Sequence, residues 1–202
     1  MNYRCWMIAL LFCCGINAVA QNNASGKEQL THAMEYFSSG KYHEALLLFQ
    51  KLDKKYDLNP RFHAYMGVCY YYDWEYKKAC EYLDEAIPKL DAYAPHERSV
   101  YYYAAAESHF NLEQYAEALP YYERQLTVCF DNEKADALYR IGFCYLFANN
   151  KELALEYFRS ALAYYQTYRD TPELKARITQ LQKMIAGLAA TLEASSATPK
   201  HS

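Results

Sequence analysis

A His-Glu-x-x-His pair, a Cys-x-x-Cys pair or a Gly-x-Ser-x-Gly elbow would each announce a reaction, because each sets ligands or a nucleophile within about one turn of chain. The sequence holds six histidines and seven cysteines, and none falls into such a pattern. His43-Glu44 lacks a second histidine four residues on, and His32, His63, His96, His109 and His201 are scattered. Glu107 and His109 stand two apart, a separation that turns them to different sides of a helix. Six glycines leave little material for a phosphate-binding loop. No catalytic residue, metal ligand or cofactor is assigned, and the chain reads as non-enzymatic.

Tyrosine is the residue in excess. There are 23, with runs at Tyr70-Tyr71-Tyr72 and Tyr101-Tyr102-Tyr103. Successive helical residues differ by about 100°, so three in a row cannot all face one core. With Tyr70 and Tyr102 turned between helices, Tyr71, Tyr72 and Tyr103 point outward or sideways.

The elements that must position them follow from spacing. From Gly67 to Ala86, small and large residues recur at helical steps of three and four: Gly67, Tyr70, Tyr76, Ala79, Leu83 and Ala86. That is a helical hairpin whose small residues permit close approach and whose large ones fill the space between helices. One hairpin cannot bury this surface alone. Copies are present: Ala45 lies 34 residues before Ala79, flanked by Ala33, Tyr36, Gly40, Tyr42, Phe49 and Leu52 in equivalent places. Ala118 carries Ala106, Tyr115 and Tyr122; Ala154 carries Leu138, Ile141, Gly142, Tyr145, Phe158 and Ala161. Ala118 follows Ala79 by 39 residues, which places five extra residues near Ala92 to Glu97, and Ala154 follows Ala118 by 36.

This pattern resembles the tetratricopeptide repeat family, whose unit is 34 residues long. The third unit departs at His109, where an aromatic is usual, and at Gln125, where a small residue is usual; the fourth has Lys151 in place of tyrosine. The resemblance implies an all-α, right-handed α-solenoid of about four hairpins (26–58, 59–94, 95–131 and 132–170). A further helix, 171–194, with Leu174, Ile178, Leu181, Ile185, Leu188 and Leu192 on one stripe, is expected to cover the end of the stack. The sharper alternative for that stripe is a dimer seam. Residues 195–202 are expected to form a disordered tail. Local start signals are Ser25 with Glu28 as a capping box, Asn59-Pro60, Asp131-Asn132 and Thr171-Pro172.

In this family the first helices of successive hairpins line a concave groove that holds a peptide or a partner helix. Carried over by position, the groove residues are Met34, Phe37, Arg61, Val68, Tyr71, Tyr72, Tyr103, Glu107, Phe110, Asn111, Tyr139, Phe143 and Phe147. The implied surface is aromatic and lacks the Lys and Arg clamp that some relatives use for a terminal carboxylate. The partner expected is a protein or peptide segment. A glycan, stacking on exposed rings, is the alternative from another class, and a structural homo-oligomer through the last helix is a third.

Residues 1–20 read as a secretory signal: Arg4, an apolar run from Trp6 to Gly15, then Ala18-Val19-Ala20 before Gln21. Cleavage after Ala20 implies an exported chain, periplasmic or secreted, without a stable membrane span. Phe12 and Cys13 sit where a lipoprotein signal wants small residues, which disfavours lipid anchoring. Residues 21–25 read as a flexible start. Removing the signal leaves 20 Lys and Arg against 24 Asp and Glu, a net charge of −4. With no basic stripe, nucleic acid is disfavoured as a partner. Of the seven cysteines, Cys69, Cys80, Cys129 and Cys144 remain, and the repeat positions imply small buried thiols rather than disulfides.

Overall fold

The computed structural model describes residues 25–168 and 171–197. The expected signal segment, residues 21–24 and the residues after Ala197 lie outside the described residues. Nine α-helices are present among the described residues: α1 (25–38), α2 (Tyr42–Tyr56), α3 (Pro60–Tyr72), α4 (Tyr76–Ala86), α5 (Pro95–Asn111), α6 (Tyr115–Val128), α7 (Asp131–Phe147), α8 (Lys151–Tyr168) and α9 (Lys175–Ala197). They pair as four antiparallel hairpins, each packing on the next, and α9 packs on α8.

All four hairpins turn the same corner. Gly40, Trp74, Glu113 and Asn149 have φ of 75°, 60°, 59° and 58°. At each, the amide of the corner residue bonds back three residues, and the next amide bonds back five: Gly40 to Phe37 and Lys41 to Tyr36 in the first, Asn149 to Leu146 and Asn150 to Tyr145 in the last. This left-handed cap satisfies carbonyls that the helix end would otherwise orphan. Only the first corner uses glycine, the residue that adopts this conformation without steric cost.

Past each corner an alanine forms the first bond of the return helix: Ala45, Ala79, Ala118 and Ala154, all 0% exposed. One turn on come Phe49, Leu83, Tyr122 and Phe158, also fully buried. Each such side chain contributes about 1.5–3 kcal/mol of burial. Gly67 and Gly142 let the helices meet: a Cβ there would stand 2.6 Å from Leu83 Cγ and 2.5 Å from Phe158 Cδ1.

The extra residues of the third unit go into a short 3-10 turn (Ile87–Lys89), a connection through Ala94 and a longer first helix, 17 residues in α5 against 13 in α3. The added turn carries Glu97, whose carboxylate accepts from Arg61 Nε at 2.7 Å, Arg61 Nη2 at 2.9 Å and Tyr101 at 2.5 Å. Burial raises the Glu97 pKa and these bonds more than offset it, so the group lies below the usual carboxylate range.

Asn59 caps α3 as expected, accepting from the Arg61 amide at 3.0 Å. At α7 the expected cap is corrected: Asp131 is already helical, Phe130 occupies the cap position, and Glu133 reaches back 3.0 Å to the Phe130 amide. Ser25 is already helical and its hydroxyl accepts from Gln29 at 3.1 Å. At the far end, Leu181 (0% exposed) and Ile178 (9%) bury against Phe158, Ala161 and Tyr165. Leu174, Ile185 and Leu188 of the same stripe are partly buried against this cluster, and the helix runs to Ala197, three residues past its expected end. Cys69, Cys80 and Cys144 are buried and Cys129 half-buried, all as free thiols; burial pushes Cys69 and Cys144 up to about 12. No helix among the described residues is long and apolar enough to cross a membrane.

Candidate functional site

The first helices α1, α3, α5 and α7 carry the expected groove residues, and the structure gathers most of them into two aromatic clusters. In the first, Tyr42 and Tyr72 stack nearly parallel, 3.9 Å apart at 3°. Phe37 meets Tyr42 edge-on at 5.6 Å, and Tyr71 meets Tyr72 at 4.9 Å and Tyr103 at 5.8 Å. The Tyr71 and Tyr103 hydroxyls lie 3.5 Å apart. Burial raises the pKa of both phenols, so they are neutral donors at physiological pH. Met34, one turn before Phe37 on the same helix, is partly buried against the core.

In the second cluster, Phe147 stacks on Tyr115 at 4.5 Å and neighbours Phe143 at 5.8 Å and Phe110 at 6.2 Å; Tyr139 meets Phe143 at 4.9 Å. Tyr72 and Phe147 are the open faces of the two clusters, 44% and 52% exposed.

Four of the thirteen positions are engaged elsewhere in the fold. Val68 is 1% exposed and belongs to the core, because the helix turns it toward its neighbours rather than the groove. Arg61 is drawn to Glu97 and lies over the Tyr65 and Tyr93 rings, 5.6 and 4.9 Å away. Asn111 folds back, donating to the Glu107 carbonyl at 2.7 Å. Glu107 is 3% exposed and accepts from Tyr122 at 2.6 Å and from Arg140 at 2.7 Å.

Arg140 and Arg177 are the residues that sequence reasoning missed. Together with Tyr103, Glu107, Asp136, Tyr139 and Gln180 they line a polar cleft of about 450 Å³ between the clusters. Arg140 lies 4.5 Å over the Phe110 ring while it bonds Glu107. Arg177, from α9, reaches Asp136 at 2.9 Å, and Asp136 also accepts from Tyr165. A hint existed: Glu107 is an isolated carboxylate in an apolar stretch of its helix, and Arg140 lies 33 residues on, about one repeat away. Tyr42 and Tyr115 begin return helices, and a reading confined to first helices passes over them.

The solenoid has solved counterparts. A structure of a MamA mutant superposes with a TM-score of 0.67 at 12% identity, covering 85% of this chain and 90% of that one. The apo form of RapI gives 0.63 at 14% identity, covering 84% and 65% respectively. At such identities the likeness shows the fold alone. A comparison with curated proteins finds no match. Tetratricopeptide-repeat profiles match residues 30–95 and residues 97–167, the first and second pairs of hairpins. The tetratricopeptide fold is that of a protein-interaction scaffold, and with period, corner geometry and sequence profile in agreement, the chain belongs to the tetratricopeptide repeat family.

Proposed function

We propose that the protein is an exported, non-catalytic adaptor of a bacterial envelope that binds a protein or peptide segment through the aromatic face of its first helices. The carrying observation is the continuity of exposed rings with half-buried ones. Tyr72 and Phe147 offer open surface yet are stacked from behind on Tyr42 and Tyr115, so they are held in place before any partner arrives. Rigid aromatic anchors of this kind supply most of the affinity in interfaces. The cleft between them, with two arginines paired to two carboxylates, suits the polar backbone of a segment crossing from one cluster to the other. Export rests on residues 1–20 and their Ala18-Val19-Ala20 site.

The test is affinity capture from envelope extract with the wild-type chain and with Tyr72→Ala/Phe147→Ala, matched by circular dichroism. A protein held by the first and lost by the second supports the reading; equal capture by both overturns it. Trp74, 79% exposed and two residues from Tyr72, favours one second reading, in which a sugar stacks on these rings. Oligosaccharide binding that is insensitive to salt and lost on Trp74→Ala would select it.

A further inference from the structure

The extra residues that break the repeat between the second and third hairpins also build a second cleft, of about 460 Å³, none of whose lining residues belongs to the aromatic face. Pro88 and Asp91 come from the inserted connection, Arg98 from the start of α5, and Arg124 and Thr127 from the end of α6. Tyr102, 5% exposed, forms its floor.

The donors of this cleft outnumber its acceptors. Arg98 Nε is buried without a hydrogen-bond partner. The contact of Arg98 with Asp91 is long, 3.5 Å, and Asp91 is 82% exposed, so it competes with water. Arg124 forms no ion pair, and the Tyr102 hydroxyl makes no hydrogen bond, among the described residues. Thr127 donates to the Arg124 carbonyl at 2.7 Å, which leaves its oxygen as an acceptor. A buried guanidinium N–H lacking an acceptor is costly; Nε itself is sealed from solvent while the Arg98 side chain is 21% exposed, so a ligand oxygen removes that cost by drawing the guanidinium toward the cleft.

We propose that this cleft binds a small anion through phosphoryl or carboxylate oxygens, gripped between Arg98 and Arg124 with Tyr102 as a third donor. Planar guanidinium forks match such oxyanions in geometry as well as charge. The unpaired Nε then has a purpose, and so does an insertion that the repeat itself does not need.

Titration calorimetry and thermal melts of the purified chain with inorganic phosphate or succinate, in low-salt buffer with chloride as the control anion, test the proposal. One of the two should bind at one site per chain and raise Tm with concentration. Phosphate alone assigns a phosphoryl ligand, and succinate alone a carboxylate. Arg124→Gln, on the exposed rim, should raise Kd at least about tenfold, the effect of losing one charge-assisted contact. Arg98→Lys keeps the charge but removes Nε, and should weaken binding similarly; if that variant fails to fold, Arg124→Gln alone decides. Binding no tighter than chloride for both anions, or a Kd unchanged in Arg124→Gln, overturns the proposal.

Discussion

His109 Nε2 lies 3.1 Å from Asp84 Oδ1, across the boundary between the second and third hairpins. Gln114 takes the other ring nitrogen at 2.8 Å, and Tyr121 stacks on the imidazole at 5.7 Å. Where the repeat usually places an aromatic ring, this chain has one that can carry charge. Burial is the largest single influence and opposes that charge, but the bonds to Asp84, Cys80 and Gln114 together outweigh it, and the His109 pKa is pushed up to about 10.

A pH dependence of stability follows. A group whose folded pKa is raised stabilises fully below its unfolded value, near 6.5, and the contribution is lost as pH rises toward about 10. Asp84 is depressed in the fold: burial raises it, and the bonds from His109 and Tyr121 together with the His109 charge more than offset that, so its contribution fades as pH falls below 3.8. Urea denaturation should show wild type losing stability between pH 6.5 and 10 relative to His109→Phe, which keeps a ring against Tyr121. A difference between the two that stays constant over this window would contradict the ion pair.

Helix contact in the second and fourth hairpins depends on a missing methyl group. Gly67→Ala and Gly142→Ala each drive a Cβ into a fully buried side chain, Leu83 or Phe158. Each should cost about 1–3 kcal/mol by chemical denaturation. The ring at Phe158 has less freedom to shift than Leu83, so Gly142→Ala should cost more.

Glu107 and Arg140 form a pair in which the glutamate side chain is nearly sealed, 4% exposed, and the arginine side chain is 35% exposed. Glu107→Ala strands the Tyr122 hydroxyl as well as Arg140 and should lose about 3–5 kcal/mol. Arg140→Met leaves a nearly sealed carboxylate with only Tyr122 donating to it and should lose a comparable amount. A double-mutant cycle should return a coupling above about 0.5 kcal/mol.

The corner at Trp74 carries strain without packing in return. A left-handed conformation costs a bulky L-residue about 1–2 kcal/mol, and the side chain is 79% exposed. Trp74→Gly should therefore stabilise by about 0.5–1 kcal/mol, net of the entropy that glycine loses on folding. Thermal denaturation measures this. A loss of stability would show that the indole packs more tightly than its exposure indicates.

What could be read in the sequence was what repeats. Ala45, Ala79, Ala118 and Ala154 occupy one steric niche four times, so their spacing shows through despite the insertion. The first corner is legible in Gly40, but Trp74, Glu113 and Asn149 adopt its conformation without its residue, because the two backbone bonds at the corner outweigh the local strain. Val68, Glu107 and Arg140 were illegible for another reason. Their orientation depends on how far each helix is rotated against its neighbour, and Glu107 turns inward only because Arg140 and Tyr122 are there to meet it. Phe130 at a cap was equally hidden, since its amide is served by Glu133 and its own side chain takes no part.

The four corner residues are all exposed and recur once per hairpin along a single border of the solenoid. The fold asks of them only a sign of φ, so glycine, tryptophan, glutamate and asparagine all serve as bends, at different steric cost. That border is a line of writable positions: its lettering can change, by mutation or by design, without revising the core beneath it. In this protein the second letter is the largest side chain available, set two residues beyond the Tyr72 at the edge of the aromatic face.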